Sequence, residues 1–287
     1  SDRFKAGRTG FADAFQRFHD APHGAEQTNE RRGAADTGED RLTVFQRAAF
    51  FLDLLAQVGD LPAGDVIDLG CGNGAVGPAL SARFADRKVI GVDSSPAMLT
   101  QAAATGAYHR CDLADIAEWQ PNKPPALIFS NAALQWLPDH SALFPRLAAM
   151  LAPGGTLAVQ MPRQWGAPSH RFLHDFACEM FPKIFDFTTW QPPVADPMAM
   201  MRVIAPLGEV SLWETKYFQH LAPNADCHPV RAFTESTAMR PFEQALSAAE
   251  FTAFRARYDA ALEAAYPREA DGSVLFPFRR QFFTVIV

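Results

Sequence analysis

The amino-acid sequence predicts an α/β protein built on a doubly wound, largely parallel sheet. From residue 65 to residue 161, short apolar segments alternate with helix-like segments, which is typical of successive βα units in a parallel sheet. The apolar segment Val66–Leu69 runs directly into the glycine-rich turn Gly70–Gly74, as the first strand of a nucleotide-binding sheet does. The next apolar segment ends in an acid, Asp93, which is a second feature of such sheets.

Five parallel strands are expected, each a short apolar run that ends at a turn. They lie near residues 65–69, 88–92, 107–111, 125–130 and 155–161. After the second strand, Ser94 and Ser95 offer an N-cap and Pro96 suits the first helical position, which predicts a helix over Ala97–Ala104. Pro153, followed by two glycines, is a stop signal before the fifth strand.

The segment before the first strand has two parts. Apolar residues recur at helical spacing from Leu42 to Val58, which predicts a helix that packs on the sheet. Residues 1–40 are polar with little periodicity and are interpreted as an N-terminal arm or lid. Two interpretations of this arm stay open: a tail without function, or a lid over a bound ligand in which Phe11, Phe15 and Phe18 form one helical stripe.

A cap insertion is expected near residues 163–208, where prolines and tryptophans interrupt any regular pattern. Irregular segments often carry ligand contacts, so substrate contacts are expected there. Residues 209–220 and 272–287 are expected to be two further strands that close the sheet as an antiparallel pair.

The segment near 222–268 is expected to be helical. Within it, Ser247 and Glu250 have the spacing of a capping box, which predicts the start of a long helix through Ala265. We therefore expect a single domain over residues 41–287, with the cap and this helical segment as parts of it.

Composition argues against several classes of partner. The chain of 287 residues is 48% hydrophobic with a net charge of −6, and its Lys/Arg runs never exceed two residues, so nucleic acid is not an expected partner. Apolar stretches stay far below the roughly 18 residues that span a bilayer, so we expect a cytoplasmic protein without a membrane partner. Four scattered cysteines lack metal-ligand spacing and are expected to be reduced, metal-free thiols: Cys71, Cys111, Cys178 and Cys227.

The glycine-rich turn is expected to bind a nucleoside cofactor. Gly70, Gly72 and Gly74 tolerate positive φ and allow a ligand to approach the backbone closely. Their spacing is G-x-G-x-G, and Ala75 stands where the last glycine of a dinucleotide motif belongs, which argues against NAD or FAD. Asp93 follows about 20 residues later, where its two acceptor oxygens can receive two ribose hydroxyls.

Two further polar residues are expected at the carboxyl edge of the sheet, where open α/β sheets bind ligands. Asp112 ends the third strand and can accept a hydrogen bond from an adenine amino group; the alternatives are a helix N-cap or a solvated turn acid. Asn131 ends the fourth strand, and its carbonyl oxygen can accept a hydrogen bond from an amino group of the cofactor.

The combination D-L-G-C-G-N-G at 68–74 and G-V-D-S-S at 91–95 resembles the first two motifs of class I S-adenosylmethionine-dependent methyltransferases. The resemblance implies a Rossmann-like, seven-stranded sheet with a helical cap insertion, and S-adenosylmethionine as cofactor with S-adenosylhomocysteine as product. It also implies that the loop lies beside the amino-acid end of the cofactor. The residues after the fourth strand lack the D/N-P-P-Y/F sequence of nucleic-acid amino-methylases, so base methylation is disfavoured.

A narrower resemblance begins at residue 131. The sequences N-A-A-L-Q-W-L-P-D-H at 131–140, L-F-P-R-L at 143–147 and G-G-T-L-A-V-Q-M-P at 154–162 are similar to the trans-aconitate 2-methyltransferase family. The likeness covers residues 64 to about 175 and returns faintly at 239–242 and 276–279. It implies methylation of a carboxylate of a small organic acid to a methyl ester, a reaction that needs no general base because the acid is ionised at neutral pH.

These motifs define the candidate site residues. Those expected to bind the cofactor are Asp68, Gly70, Cys71, Gly72, Asp93, Ser94, Met98, Asp112, Leu113, Asn131 and Ala132. No residue is assigned as a certain catalytic group, and no metal is expected. The candidates for positioning the acceptor are Arg240, Arg279, His170, Tyr217, Gln135 and Trp136. Arg240 and Arg279 are the preferred candidates because a planar guanidinium holds a carboxylate with two parallel hydrogen bonds. The alternative role of these arginines is in surface salt bridges.

Two other functions stay open. Phe185, Phe187 and Trp190 make the expected cap aromatic, which suits a methyltransferase whose acceptor is the phenol, amine or carbon of an aromatic or secondary metabolite. A non-catalytic protein that binds S-adenosylmethionine is the remaining alternative. The sequence leaves the oligomeric state open.

Overall fold

The computed structural model describes residues 50–235 and 237–287. Contacts divide these residues into two compact units. The first, here called the sheet unit, holds residues 50–162, 193–215 and 280–287, and the second, the helical unit, holds 163–192, 216–235 and 237–279. The expected insertion at 163–208 is therefore divided between the two units, while the arm at 1–40 lies outside the described residues.

Seven strands form one sheet in the order β3-β2-β1-β4-β5-β7-β6. Strands β1 to β5 pair in parallel, and β7 pairs with β5 in the antiparallel direction. The bounds are β1 Val66–Leu69, β2 Val89–Asp93, β3 Arg110–Leu113, β4 Leu127–Asn131, β5 Thr156–Pro162, β6 Glu209–Leu221 and β7 Val274–Ile286. The predicted doubly wound, seven-stranded α/β fold is confirmed.

The third strand starts later than the sequence predicts. Strand was expected at 107–111, but β3 covers Arg110–Leu113. The difference arises because Tyr108 is not a strand residue: its ring packs beside Gly77 and Gly91, and its hydroxyl donates to a buried acid. The aromatic ring of Tyr108 made the sequence before Arg110 look like part of the strand, so the strand was predicted to start too early.

The helices follow the predicted alternation. Residues 50–56 are helical, and the other α-helices are α1 Gly77–Arg83, α2 Pro96–Ala104, α3 His140–Ala148, α4 Pro168–Met180, α5 Pro197–Ile204, α6 Pro229–Glu235, α7 Arg240–Ala245 and α8 Ala248–Ala265. Short 3-10 helices cover Leu134–Trp136 and Ala205–Leu207. Ser95 caps α2 as predicted, and the predicted capping box of Ser247 and Glu250 opens α8.

The two faces of the sheet differ in chemistry. Residues in register on neighbouring strands share a face, so Asp68 lies on the same face as its partner Gly91 and as Cys111, the next residue across. On the strands beyond β1, Asn131 and its register partner Gln160 lie on this same face. Polar side chains are therefore concentrated on one face, near the carboxyl ends of β1, β4 and β5.

The opposite face carries the hydrophobic core of the sheet unit. Its members are buried aliphatic and aromatic side chains, including Ile67, Leu69, Ile90, Val92, Ile128, Leu157, Val159, Met161, Phe283 and Val285. Burial of this apolar area stabilises the sheet. The candidate polar residues Asp68, Asn131 and Gln160 therefore lie on the face that does not carry this core.

The helical unit has a separate, aromatic core. Helices α4 and α8 pack against each other, and their side chains enclose buried rings that include Phe242, Phe254 and Phe276. The Tyr258 hydroxyl donates to the Ser169 carbonyl at 2.6 Å, which satisfies a polar group inside this core. Within 50–235 and 237–287, no helix combines the length and hydropathy needed to cross a membrane.

Candidate functional site

The loop after β1 contains three glycines with positive φ, at 76° for Gly70, 53° for Gly72 and 83° for Gly74. Their surroundings differ. A Cβ at Gly70 would lie 2.2 Å from the Ala133 Cβ, and one at Gly74 would lie 2.7 Å from the Ala102 Cα. At Gly72, in contrast, a Cβ would meet nothing within 4 Å. Gly70 and Gly74 therefore allow close packing, whereas Gly72 borders open space that a ligand can fill.

The Asp93 carboxylate holds this loop in place. Its Oδ2 accepts a hydrogen bond from the Gly72 amide at 2.9 Å, and its Oδ1 accepts one from the Ser95 amide at 2.9 Å. The Gly70 and Cys71 amides donate to the carbonyl of Val92, the residue before it. The end of β2 thus fixes the loop backbone and leaves a partly exposed carboxylate beside the open space at Gly72.

Asp68 is buried, with 1% of its surface exposed. The Tyr108 hydroxyl donates to its Oδ2 at 2.7 Å. Burial, assisted by the charge of Asp93, raises the pKa of Asp68 to about 7, against the lowering effect of the Tyr108 hydrogen bond. Sequence reasoning missed Tyr108, because 40 residues separate it from Asp68 and no local pattern connects them.

Cys71 lies in the same loop and is buried. Burial and the nearby charges of Asp68 and Asp93 raise the pKa of this thiol, so it stays protonated at neutral pH and acts as a small apolar residue. Each of the four cysteines is a free thiol, and the described part of the chain holds no group of side chains arranged as a metal site.

Asp112 and Leu113 end β3 in different environments. Both Asp112 oxygens accept from Arg110 Nε, at 2.9 and 3.1 Å, and Asp112 lines a cavity of about 440 Å³ together with Ile67 and Ile90. These residues lie on the face opposite to Asp68. An adenine contact by Asp112 stays a prediction, and Arg110 would compete for the same oxygens. Leu113 is 62% exposed.

The first turn of α2 contains the remaining candidates on this side of the loop. Ser95 is buried, and its side chain accepts from the Met98 amide at 3.4 Å. Ser94 and Met98 are both partly buried. Ser95, rather than Ser94, is therefore the N-cap of the helix. Ser94 directly follows Asp93 in the chain.

The residues after β4 form a strained turn. Ala132 has a φ of 55°, a left-handed conformation that is unusual for alanine. Gln135 is buried, and its Nε2 donates to the Ala132 carbonyl at 2.7 Å, while Trp136 is partly buried. The Asn131 Oδ1 is buried and lacks a hydrogen-bond partner within the described structure. Buried acceptors of this kind are rarely left unsatisfied, so Asn131 offers an acceptor to a ligand.

The other acceptor candidates belong to the helical unit. His170 lies in the first turn of α4 near Ser169, and burial lowers its pKa to about 4, so its ring is neutral at pH 7. Tyr217 and Arg240 are partly buried, on β6 and at the start of α7, whereas Arg279 on β7 is exposed. The structure places these four residues in one unit and every predicted cofactor residue in the other.

Gln160 and Arg280 are polar residues that sequence reasoning missed. Gln160 is fully buried on β5, and Arg280 is only 8% exposed. Arg280 Nη1 donates to Gln160 Oε1 at 3.1 Å, and the guanidinium lies over the Phe50 ring, 3.6 Å from its centroid. Both residues belong to the sheet unit, as the cofactor candidates do.

A sequence signal for Arg280 existed. Along β7, Phe276, Phe278 and Arg280 are buried while Leu275 and Arg279 are exposed, which is the two-residue period of a strand. The alternating apolar residues before position 280 therefore indicate that the second arginine of the pair faces inward. The predicted candidate, Arg279, is the outward-facing arginine of the pair.

The arrangement fits the nucleoside cofactor that the sequence predicts. Gly72 provides space, Asp93 provides a carboxylate beside that space, and Asn131 provides an unsatisfied acceptor on the same sheet. A cofactor with ribose hydroxyls and an ammonium group has the donors that these oxygens require.

Comparisons with known proteins agree on the class. A family model described as a methyltransferase domain matches residues 43–206. The chain is 40% identical to a trans-aconitate 2-methyltransferase of Methylobacterium nodulans over 245 residues, which cover 80% of this chain and 89% of the relative. It is 39% identical to that of Klebsiella pneumoniae over 234 residues, covering 80% and 88%. The YcgJ protein of Bacillus subtilis shares the fold, with a TM-score of 0.52 at 14% identity over 83% of this chain and 98% of that one.

Proposed function

Because the chain belongs to the trans-aconitate 2-methyltransferase family of S-adenosylmethionine-dependent methyltransferases, we propose that it methylates a carboxylate of trans-aconitate. Membership of this family confirms the predicted enzyme class and cofactor. The acceptor is the part that is proposed here. It is supported by the 40% identity to a relative of that name over 80% of the chain.

The cofactor would be held by residues of the sheet unit. Asp93 offers its carboxylate to the ribose hydroxyls, and Asn131 Oδ1 offers an acceptor to the ammonium group. When bound, S-adenosylmethionine would supply a methyl group to a carboxylate oxygen, which leaves S-adenosylhomocysteine and an uncharged ester group in place of that carboxylate. Gly72 keeps the approach to the loop free of side chains.

The protein's own contribution is positioning rather than proton transfer. A carboxylic acid with a pKa of about 4 is ionised at neutral pH, so no residue has to act as a general base. Correct alignment alone lowers a barrier by roughly 7–11 kcal/mol in favourable cases. Arg240 and Arg279 stay proposals as groups that hold a second carboxylate, because neither guanidinium takes part in an ion pair among the described residues.

The aromatic residues that suggested another acceptor have a packing role. Phe185 is 2% exposed and belongs to the core of the helical unit. Phe187 stacks on His174 with 4.2 Å between ring centroids, and Trp190 meets the same imidazole edge-on at 4.3 Å. These contacts give the aromatic residues a structural explanation that does not require an aromatic acceptor.

The test is direct identification of the product. The protein is incubated with S-adenosylmethionine and either trans-aconitate, cis-aconitate, citrate, or a panel of phenols and amines. We expect an alkali-labile monomethyl ester of trans-aconitate by mass spectrometry, with one S-adenosylhomocysteine released per ester. An alkali-stable product from a phenol or amine, with none from trans-aconitate, would assign the aromatic alternative instead. Cofactor binding without turnover of any acceptor would favour a non-catalytic protein.

A further inference from the structure

The Tyr108 side chain connects three elements that surround the glycine-rich loop. Its hydroxyl donates to Asp68 Oδ2, on β1, at 2.7 Å. A Cβ at Gly77, the first residue of α1, would lie 2.6 Å from Tyr108 Cζ, and a Cβ at Gly91, on β2, would lie 3.1 Å from Tyr108 Cδ1. Glycine at these two positions therefore lets the ring pack between α1 and β2 with its hydroxyl at β1.

The same ring packs against the loop itself. A Cβ at Gly74 would lie 3.0 Å from Tyr108 Cε2. Cys71, Leu99 and Ala102 form a small buried cluster, and Tyr108 packs against it. These contacts fix the ring on the loop and on α2, so its hydroxyl is held in a defined position.

The titratable groups that face Asp68, besides Tyr108, are acids rather than bases. Asp93 on β2 repels the Asp68 carboxylate, and the charge of Asp68 acts in turn on the thiols of Cys71 and Cys111. Among residues 50–235 and 237–287, Asp68 takes part in no ion pair. A cation bound at this end of the sheet would therefore be a counter-charge that favours the ionised form of Asp68.

The hydrogen bond from Tyr108 opposes the effect of burial on Asp68. Burial, assisted by Asp93, raises the pKa of Asp68 to about 7, and the hydrogen bond from Tyr108 lowers it. Burial also raises the pKa of Tyr108, so its hydroxyl keeps the proton that it donates. Asp68 Oδ1 accepts no hydrogen bond from the described residues, so the orientation of this carboxylate depends on Tyr108.

We propose that Tyr108 is a positioning residue for cofactor binding, which holds Asp68 in place and favours the ionised carboxylate that attracts the cofactor's ammonium group. The attraction acts through space, so Tyr108 itself does not contact the cofactor. This inference rests on the part of the proposed function that assigns the ammonium to this end of the sheet. Cofactor binding then completes the ionisation of Asp68: its O–H bond breaks, the electron pair stays on the carboxylate, and the proton passes to the buffer.

The test measures binding of S-adenosylhomocysteine by calorimetry at pH 7 in two buffers of different ionisation enthalpy, which gives the affinity and the number of protons released. Because the pKa of Asp68 is about 7, the wild type should release about half a proton per ligand bound. Tyr108→Phe keeps the ring and removes the donor. Its affinity should fall roughly tenfold, as for loss of a hydrogen bond to a charged group, and the protons released should rise towards one.

A second ligand separates this effect from a general disturbance of the loop. 5′-Methylthioadenosine has the nucleoside of the cofactor but neither its ammonium nor its carboxylate. We expect the wild type and Tyr108→Phe to bind it with equal affinity and without proton release, which also shows that the variant is folded. A disturbed loop would weaken both ligands equally.

Tyr258→Phe is the matched control. Tyr258 is fully buried and its hydroxyl donates to the Ser169 carbonyl at 2.6 Å, but it belongs to the helical unit. This variant therefore loses a comparable tyrosine hydrogen bond away from Asp68. Its affinity for S-adenosylhomocysteine and its proton release should match those of the wild type.

Asp68→Asn tests whether Tyr108 acts through Asp68. Asparagine does not ionise, so this variant should bind S-adenosylhomocysteine more weakly than the wild type and release no proton. Adding Tyr108→Phe to it should change the affinity less than about twofold, because the two residues act as one unit.

Three results would overturn the role of Tyr108. They are wild-type affinity and proton release in Tyr108→Phe, an equal loss of affinity for both ligands, and additive losses for Tyr108→Phe and Asp68→Asn. The acceptor takes no part in these measurements. If S-adenosylhomocysteine binds as expected but trans-aconitate yields no ester, the proposed function fails and the role of Tyr108 stands.

Discussion

The Asp93 carboxylate accepts a hydrogen bond of 2.9 Å from the Gly72 amide, which lies 21 residues earlier in the chain. The second oxygen of the same carboxylate accepts from the Ser95 amide. One acid therefore fixes the backbone of the glycine-rich loop and the start of α2 together. Its remaining lone pairs are available to ribose hydroxyls.

Asp93→Ala should weaken binding of S-adenosylhomocysteine by roughly tenfold or more, because a ligand loses charge-assisted hydrogen bonds and the Gly72 amide loses its partner. Isothermal titration calorimetry measures the effect. Asp86→Ala is the control, since Asp86 is an exposed acid in the turn before β2. Equal affinities of the Asp93 and Asp86 variants would remove Asp93 from the cofactor site.

Gly72→Ala and Gly74→Ala should separate ligand binding from folding. Both positions have positive φ, so each alanine costs about 1–2 kcal/mol of stability from backbone strain. Only at Gly74 would the methyl group also collide with backbone, at Ala102, which adds roughly 1–3 kcal/mol. The melting temperature should therefore fall further for Gly74→Ala than for Gly72→Ala. The affinity for S-adenosylhomocysteine should instead fall further for Gly72→Ala, although this variant loses less stability. The reverse order would mean that Gly72 does not border the cofactor.

Asp68 gives the fold a stability term that is lost as pH rises. Its pKa is raised from 3.8 to about 7, mainly by burial, so the folded state keeps a proton that the unfolded state has already released. The stabilisation is complete below the unfolded pKa and disappears as pH rises through the folded pKa. Asp68→Asn cannot ionise, so the melting temperature of this variant minus that of the wild type should increase from about pH 5 to about pH 8. A constant difference would contradict a raised Asp68 pKa.

His170 should give a stability term of the opposite sign. Burial lowers its pKa from 6.5 to about 4, so in this interval the unfolded state binds a proton that the folded state excludes. The stabilisation is present above the unfolded pKa and is lost as pH falls through the folded pKa. For His170→Gln, the melting temperature relative to the wild type should therefore increase as pH falls from about 7 to about 4. An unchanged difference over this range would show that the imidazole is solvated.

Arg240 and Arg279 are expected to hold a carboxylate of the acceptor. Arg240→Met and Arg279→Met should each raise KM for trans-aconitate, by roughly tenfold for loss of a charged hydrogen bond, and leave affinity for S-adenosylhomocysteine unchanged. Arg171→Met is the control, because Arg171 is exposed on α4, where it pairs with Asp175 at 3.5 Å. If the Arg240 and Arg279 variants match the control, their role is confined to the surface.

The sequence alone predicted those residues of the proposed cofactor site that are close together in the chain. Gly70, Gly72 and Gly74 form one continuous turn, and Asp93 ends the very next strand. Local backbone requirements and the short connection between two strands determine both features. The chain order of the strands also followed from alternating apolar and helical patterns. The structure confirmed those elements, apart from the later start of β3.

Tertiary structure alone decided which distant polar groups meet. Tyr108 reaches Asp68 across 40 residues, and Arg280 reaches Gln160 across 120. These contacts depend on strand order and register, and a shift by one residue would turn each side chain to the other face. The alternation along β7 indicates that Arg280, rather than Arg279, faces inward, but only the paired sheet determined that Arg280 lies beside β5. Burial itself raised the pKa of Asp68, because desolvation belongs to the folded protein and not to the residue.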